Sequence, residues 1–460
     1  MRSARRFHKS RYGCRECKQS RLKCDEMYPI CQRCWRRGLV CHGAARERQW
    51  QIQVSSFYSS PNKTTNSKAS EYPLNVGEES LIWYWIEKTS RILAPCEEEN
   101  PFAHPVWEHL SISQSLLHVI KSISSAHQHF FEAAHLYDSL AERTKAMEAL
   151  RLEIDTGAQP LHALFLSIYL LGISSSYLDG GMGDLGQEHL VAAEVLVDLM
   201  LKDRDLRKHP MTRWIVGTFI YWNMSCSFLE IPASNPVEQN NTEILRFILN
   251  DMAGYLHPIN GPCTELFYII STLGQYIRFA VEHGTQDDSL DIDLEMSLLN
   301  WSLPASDVPP AWVEIAEAFR KYALILLCRY RHLVFKPHVP QEICLVGPDR
   351  NIAPIVEDDS LARRYAIEII KTLSRIPVSS PYLMLQGIPL LTAGAELTYE
   401  DSDLRNESKF RLLALYSSSR IPASLAAVSL LESIWQTRMQ GGEASWFQTV
   451  VDHKCKLRIG

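Results

Sequence analysis

Six cysteines stand close together near the start of the chain: Cys14, Cys17, Cys24, Cys31, Cys34 and Cys41. Their spacing, C-x2-C-x6-C-x6-C-x2-C-x6-C, writes the unit C-x2-C-x6-C twice. Thiolate is a favoured zinc ligand, and a C-x2-C pair lets two sulfurs reach one metal from a tight turn. Two zinc ions with four sulfurs each require eight sulfur contacts, and six cysteines supply them when two bridge both metals. The symmetry of the repeat nominates the first cysteine of each unit, Cys14 and Cys31, as the bridges. The segment therefore reads as a two-Zn²⁺ thiolate cluster. Disulfide frameworks belong to secreted chains, and Met1-Arg2-Ser3-Ala4-Arg5-Arg6 is basic and polar where a secretory leader is apolar. A redox C-x-x-C would sit beside a βαβ pattern, which is absent, and iron–sulfur ligation uses other spacings. The other cysteines, Cys96, Cys226, Cys263, Cys328, Cys344 and Cys455, are isolated and read as reduced core residues or bystanders. His8 and His42 flank the cluster, but six sulfurs already complete both metals.

Charge divides the chain in the same place. The net charge is -6, yet residues 1–48 hold 14 Lys or Arg against 4 Asp or Glu, while the remainder holds 33 against 49. Six thiolates and two Zn²⁺ remove two positive charges, leaving about +8 on a small module. A compact positive module on an acidic body is an electrostatic footprint for nucleic acid, and double-stranded DNA is the expected partner. The first half of the cluster carries Lys18, Arg21 and Lys23; the second carries Arg36 and Arg37. Each x6 segment has room for a short helix pinned by zinc, and modules of this kind place one short helix in the major groove. Lys18 and Arg21 are assigned to base edges, where Arg and Lys address guanine O6 and N7. Arg15, Lys23, Arg36 and Arg37 are assigned to phosphates, which set register.

The segment resembles the fungal binuclear zinc cluster transcription factors. Beyond the cysteines, the resemblance rests on the basic run Lys18-Gln19-Ser20-Arg21-Leu22-Lys23, on Cys24-Asp25-Glu26, on Pro29 two residues before Cys31, and on Gly38 three before Cys41. The family commonly carries lysine where this chain has Arg21 and a basic residue where it has Ser20, positions that bear on base preference. The resemblance implies a CGG-like half-site, read partly by backbone carbonyls at the end of the first helix, and a nuclear regulator of RNA polymerase II genes, often of a metabolic or secondary-metabolite pathway. Farther along, residues 161–172, Gly183-Asp184, His189-Leu190-Val191-Ala192-Ala193, Asn100-Pro101, Leu256-His257-Pro258 and residues 298–301 resemble the helical regulatory domain that follows many such clusters. That likeness is more diffuse than the cysteine pattern.

The elements that must carry the module and body follow from composition and punctuation. The expected organisation is a zinc cluster over 10–45, a linker over 46–78 and an all-helical domain over 79–455. Residues 55–78 are rich in Ser, Thr and Asn, and no heptad seam follows the cluster, so no coiled coil is expected there. Helices are expected over 79–93, 106–131, 135–154, 161–178, 187–203, 211–230, 263–283, 311–335, 359–375, 382–399, 409–419 and 422–439. Pro160, Gly186 and Pro310 open three of them, and Pro232 follows an end. The fold class is thus a small binuclear zinc module plus a mostly all-α body. The apolar runs 161–178 and 215–229 are interrupted by His162, Asn223 and serines, so they read as buried core helices, with no membrane partner.

Several motifs are set aside. Residues 181–186 spell G-x-G-x-x-G, but a helical run precedes them where a dinucleotide site needs a strand. Residues 287–295 alternate acidic and apolar side chains as activation segments do; with Met296, Leu298, Leu299 and Trp301 they read first as a packed helix. Glu97-Glu98-Glu99 reads as a solvated loop. No nucleophile elbow, phosphate loop or H-E-x-x-H occurs, so no catalytic residue is nominated and an enzyme is not expected. The resulting reading is a zinc-dependent, sequence-specific DNA-binding regulator of transcription. The rival is a helical scaffold whose zinc module binds protein or RNA. The body leaves room for a homodimer, for contact with the transcription machinery and for a small-molecule effector, with no residue assignable to any of them.

Overall fold

The computed structural model describes residues 13–27, 30–41, 76–95, 100–103, 106, 109–130, 133–157, 159–178, 186–232, 242–303, 308–334, 355–452 and 457–459. His8, Pro29, His42, Cys96, Cys344, Cys455, residues 97–99, residues 181–185 and most of the 46–78 stretch lie outside them. Two short helices, α1 (Arg15–Gln19) and α2 (Gln32–Arg36), make up the cysteine module. The body begins with α3 (Val76–Tyr84), inside the stretch read as linker, and runs through a π turn, Trp85–Thr89, into Ser90–Leu93. There follow α4 (Gln114–Gln128), α5 (Ala133–Thr156), α6 (Leu161–Leu178), α7 (Gln187–Lys202), α8 (Arg204–Lys208) and α9 (Pro210–Cys226). Then come α10 (Thr242–Asp251), α11 (Thr264–His283), α12 (Asp288–Asn300), α13 (Pro310–Val334) and α14 (Ile355–Leu373). A 3₁₀ turn, Pro381–Gln386, leads into α15 (Gly387–Glu396), and α16 (Ser402–Ser419), α17 (Ala423–Met439) and α18 (Trp446–Val451) complete the chain. Among the described residues there is no strand, only one isolated bridge between His257 and Gly261.

Local chemistry sets most of these boundaries. Gly186 opens α7 in the left-handed region (φ 70°), and a Cβ there would lie 2.9 Å from the Cα of Gly172. Only glycine meets both demands, so α6 and α7 approach at a pair of glycines. Pro210 sits at the first position of α9, where its missing N–H costs nothing, and the His209 ring accepts from the N–H of Met211. Asp287 caps α12 by accepting from Ser289 and Leu290, so the acidic, apolar stretch is helical. It buries Leu294 and Leu298 and leaves Ile292, Met296 and Leu299 exposed.

One expected helix is divided. The run 106–131 is interrupted before Gln114, where the Ser113 hydroxyl accepts from the N–H of Leu116. The buried Glu153 carboxylate of α5 accepts from the Ser115 N–H and from the Ser113 and Ser115 hydroxyls. An acidic group at a helix N-terminus stabilises the break, a tertiary contact that a local pattern does not contain. The expected 382–399 helix is likewise a 3₁₀ turn followed by α15, and α16 starts at Ser402 rather than 409, after a capping box of Thr398 and Asp401. α9 stops at Cys226 rather than 230, and α8, α10 and α18 were not expected from the sequence.

The body is built of neighbouring helices packed in succession. α4 packs along both α5 and α6, α9 along α11, and α13 along α14, while α15 is gripped by α14, α16 and α17. α6 is long and apolar enough to cross a membrane, with a mean hydropathy of 1.5, but 83% of it is buried inside the fold. His162 within it is buried and bonds the Thr212 hydroxyl, which explains a polar residue in so apolar a run. Cys226, Cys263 and Cys328 are buried in this core, as expected for inert cysteines.

Candidate metal centre and nucleic-acid interface

The two halves of the module fold alike. Cys14 precedes α1 and Cys31 precedes α2, and each helix carries the second cysteine of its unit. The helices therefore sit over the C-x2-C pairs, and the x6 segments are mostly turn and extended chain. Both helices end in the same hydrogen-bonded turn. The N–H of Leu22 reaches the carbonyl of Cys17 at 3.0 Å, and that of Leu39 reaches Cys34 at 2.9 Å. Such a turn needs one left-handed residue. In the second half it is Gly38 (φ 60°); in the first it is Arg21 (φ 53°). Asp25 ties the halves together, accepting from Met27 at 3.1 Å and from Gln32, at the start of α2, at 2.9 Å.

All six sulfurs are buried, and they form two groups of four. One comprises Cys14, Cys17, Cys24 and Cys31, the other Cys14, Cys31, Cys34 and Cys41. The shared members are Cys14 and Cys31, the pair the repeat nominates as bridges. The Sγ–Sγ separations Cys14–Cys31, Cys14–Cys34 and Cys17–Cys31 are each 3.7 Å. Four sulfurs around one zinc at about 2.3 Å stand about 3.8 Å apart along each tetrahedral edge. The sulfurs thus have the spacing of a zinc site. Burial, with the neighbouring thiols adding to it, pushes the Cys14 and Cys34 thiols up, so the pocket holds six thiolates only with cations among them. Backbone N–H groups aimed at sulfur, from Glu26 to Cys24 and from Cys34 to Cys31, and the Arg33 guanidinium at 3.6 Å from Cys17, suit that charge. Arg33 was not singled out from the sequence; its place within the second C-x2-C pair is the signal that marks it.

The basic side chains lie outside this core. Arg15, Lys18, Arg21 and Lys23 are exposed around α1 and its terminal turn, and Arg36 and Arg37 are exposed at the end of α2. The first four lie along α1 and the turn that follows it, and the other two lie at the end of α2. Trp35 of α2 turns to Phe410 of α16, ring centroids 4.3 Å apart.

A two-metal thiolate module joined to an all-helical body defines the class of protein. Residues 12–51 match the fungal Zn(2)-Cys(6) binuclear cluster domain, and residues 80–459 match the fungal specific transcription factor domain. The chain belongs to this fungal transcription factor family, and its six cysteines hold two zinc ions. Over 38 residues it is 53% identical to a Zn(2)-C6 fungal-type transcription factor of Gibberella zeae. That stretch makes up 8% of this chain and 8% of the relative, so the likeness spans a small part of either protein. No solved structure matches the chain.

Proposed function

We propose that the protein is a nuclear, zinc-dependent regulator of transcription that reads a CGG-like half-site in the major groove, with no catalytic activity of its own. The observation that carries this reading is the exposed basic helix end and loop of Lys18, Arg21 and Lys23 beside two groups of four sulfurs that share Cys14 and Cys31. Metal supplies the folding energy that so small a module lacks, and the module in turn fixes the loop. Lys18 and Arg21 contact base edges; Arg15, Lys23, Arg36 and Arg37 hold phosphates. The acidic body stays off the DNA and is the part available for a second copy of the chain and for the transcription machinery.

The test is selection of binding sites from random duplex DNA by the zinc-loaded full chain, at several salt concentrations. Enrichment of a CGG-like half-site that Arg21→Ala relaxes supports the reading, and paired half-sites at fixed spacing support dimerisation. Absence of any enriched site with both zinc ions bound refutes it and leaves the scaffold that binds protein or RNA.

A further inference from the structure

A cavity of about 310 Å³ opens between α7, α9, α10 and α11. Its walls are apolar where Phe219, Ile220, Ile244 and Tyr268 line it. Its polar side is a chain of amides: the Gln275 amide nitrogen donates to Asn223 at 3.2 Å, and the Asn223 amide nitrogen donates to the Ser271 hydroxyl at 2.8 Å. Each amide nitrogen gives one hydrogen to that chain and keeps a second, so this side offers donors as well as acceptors. Two carboxylates, Glu194 and Glu230, also line the cavity, and no lysine or arginine does. Glu230 feels the buried Arg278. Among the described residues no such cation acts on Glu194, which stands at the exposed mouth: partial burial, and then the like charge of Asp198, raise its carboxyl above the ordinary range.

Volume, apolar walls and the Glu194 carboxylate define the complementary molecule. It carries a cation that is also a hydrogen-bond donor, attached to an apolar body. We propose that this cavity binds a small organic amine, its ammonium held by Glu194 and its apolar part set among Phe219, Ile220 and Tyr268. An ammonium both balances the charge of a carboxylate and donates to it, and an aromatic wall adds cation–π attraction. A neutral hydrophobe of the same size fills the volume and gives the Glu194 carboxylate no counter-charge. An organic acid meets Glu194 with like charge. This binding does not depend on the DNA-reading proposal.

The experiment compares three probes of one shape on the zinc-loaded full chain by isothermal titration: 2-phenylethylamine, 2-phenylethanol and phenylacetate. Hydrogen exchange along Gln187–Lys202, Pro210–Cys226 and Thr264–His283 locates the site. The amine is expected to bind with the highest affinity, the acid not at all, with protection confined to those three helices. Glu194→Gln, on an exposed side chain, leaves the helical circular dichroism intact. It is expected to weaken the amine about tenfold while leaving the alcohol unchanged. Equal affinity for amine and alcohol, an unaltered amine affinity in Glu194→Gln, no amine binding, or protection elsewhere in the fold each overturns the proposal.

Discussion

Arg21 occupies a backbone conformation that its own side chain disfavours, and replacing it with glycine separates stability from recognition. Its φ is 53°, and its counterpart in the second half of the module is Gly38 at 60°. A left-handed residue with a Cβ is disfavoured by roughly 1–2 kcal/mol. Glycine returns roughly 0.4–1 kcal/mol of that through the greater freedom of its unfolded chain. Arg21→Gly should therefore stabilise the module by about 1 kcal/mol, or about fivefold in its folding equilibrium. Arg21→Ala keeps the Cβ and should bring no gain. With Arg21 at the base edge proposed for it, loss of the guanidinium should cost both variants about 1–3 kcal/mol of DNA binding and relax preference at one base pair. The assay is zinc loss from the full chain against a competing chelator, run beside DNA binding on the same preparations. Because two zinc ions leave together, Arg21→Gly should retain zinc against about twofold more chelator while binding DNA less well. Readier zinc loss from Arg21→Gly than from the native chain, or an equal gain in Arg21→Ala, refutes the argument from backbone strain.

Cys14→Ala removes a sulfur from both four-sulfur groups, whereas Cys24→Ala removes one from a single group. Elemental analysis should find zinc lost from both sites in the first and one ion partly retained in the second, with the helical signal of the body unchanged in each. Burial holds three histidines of the body neutral, drawing His127 down to about 3 and His162 and His257 to about 4 from an ordinary 6.5. The unfolded chain binds these protons first, so stability present above pH 6.5 is lost as pH falls toward 4. Melting midpoints that stay level across that interval would contradict the burial of these rings. A Cβ added at Gly217 would lie 2.4 Å from the His257 ring, which is held by the Trp214 carbonyl and by the N–H groups of Ile259 and Asn260. Gly217→Ala should destabilise the body by about 1–3 kcal/mol, read as a lower denaturant midpoint; an unmoved midpoint would show that the ring can yield.

The cysteine cluster was legible because its chemistry is written in sequence spacing. A metal takes few ligand types, and the repeat alone distinguishes Cys14 and Cys31 from the other four. Helix limits were legible where one residue sets them, as Pro160 does before α6 and Gly186 before α7. They were not legible where a distant group intervenes, as Glu153 does at Ser113 and Ser115. The x6 segments misled because length permits a helix there while the C-x2-C pair requires one. The left-handed turn was half visible, since Gly38 announces it and Arg21 conceals it. The cavity beside Glu194 left no trace in the sequence: its walls come from four helices, and no two of its polar groups share a motif.

The buried side chains described in the module are the six cysteines and Ile30. Almost nothing but sulfur lies at its centre, so its folded population is governed by the chemical potential of zinc. For a pair of sites filled together, each tenfold fall in free metal subtracts about 2.7 kcal/mol from folding. The helical body, with an apolar interior of its own, is indifferent to that quantity. Zinc scarcity therefore unwrites the address that the protein carries and leaves intact whatever the body can hold.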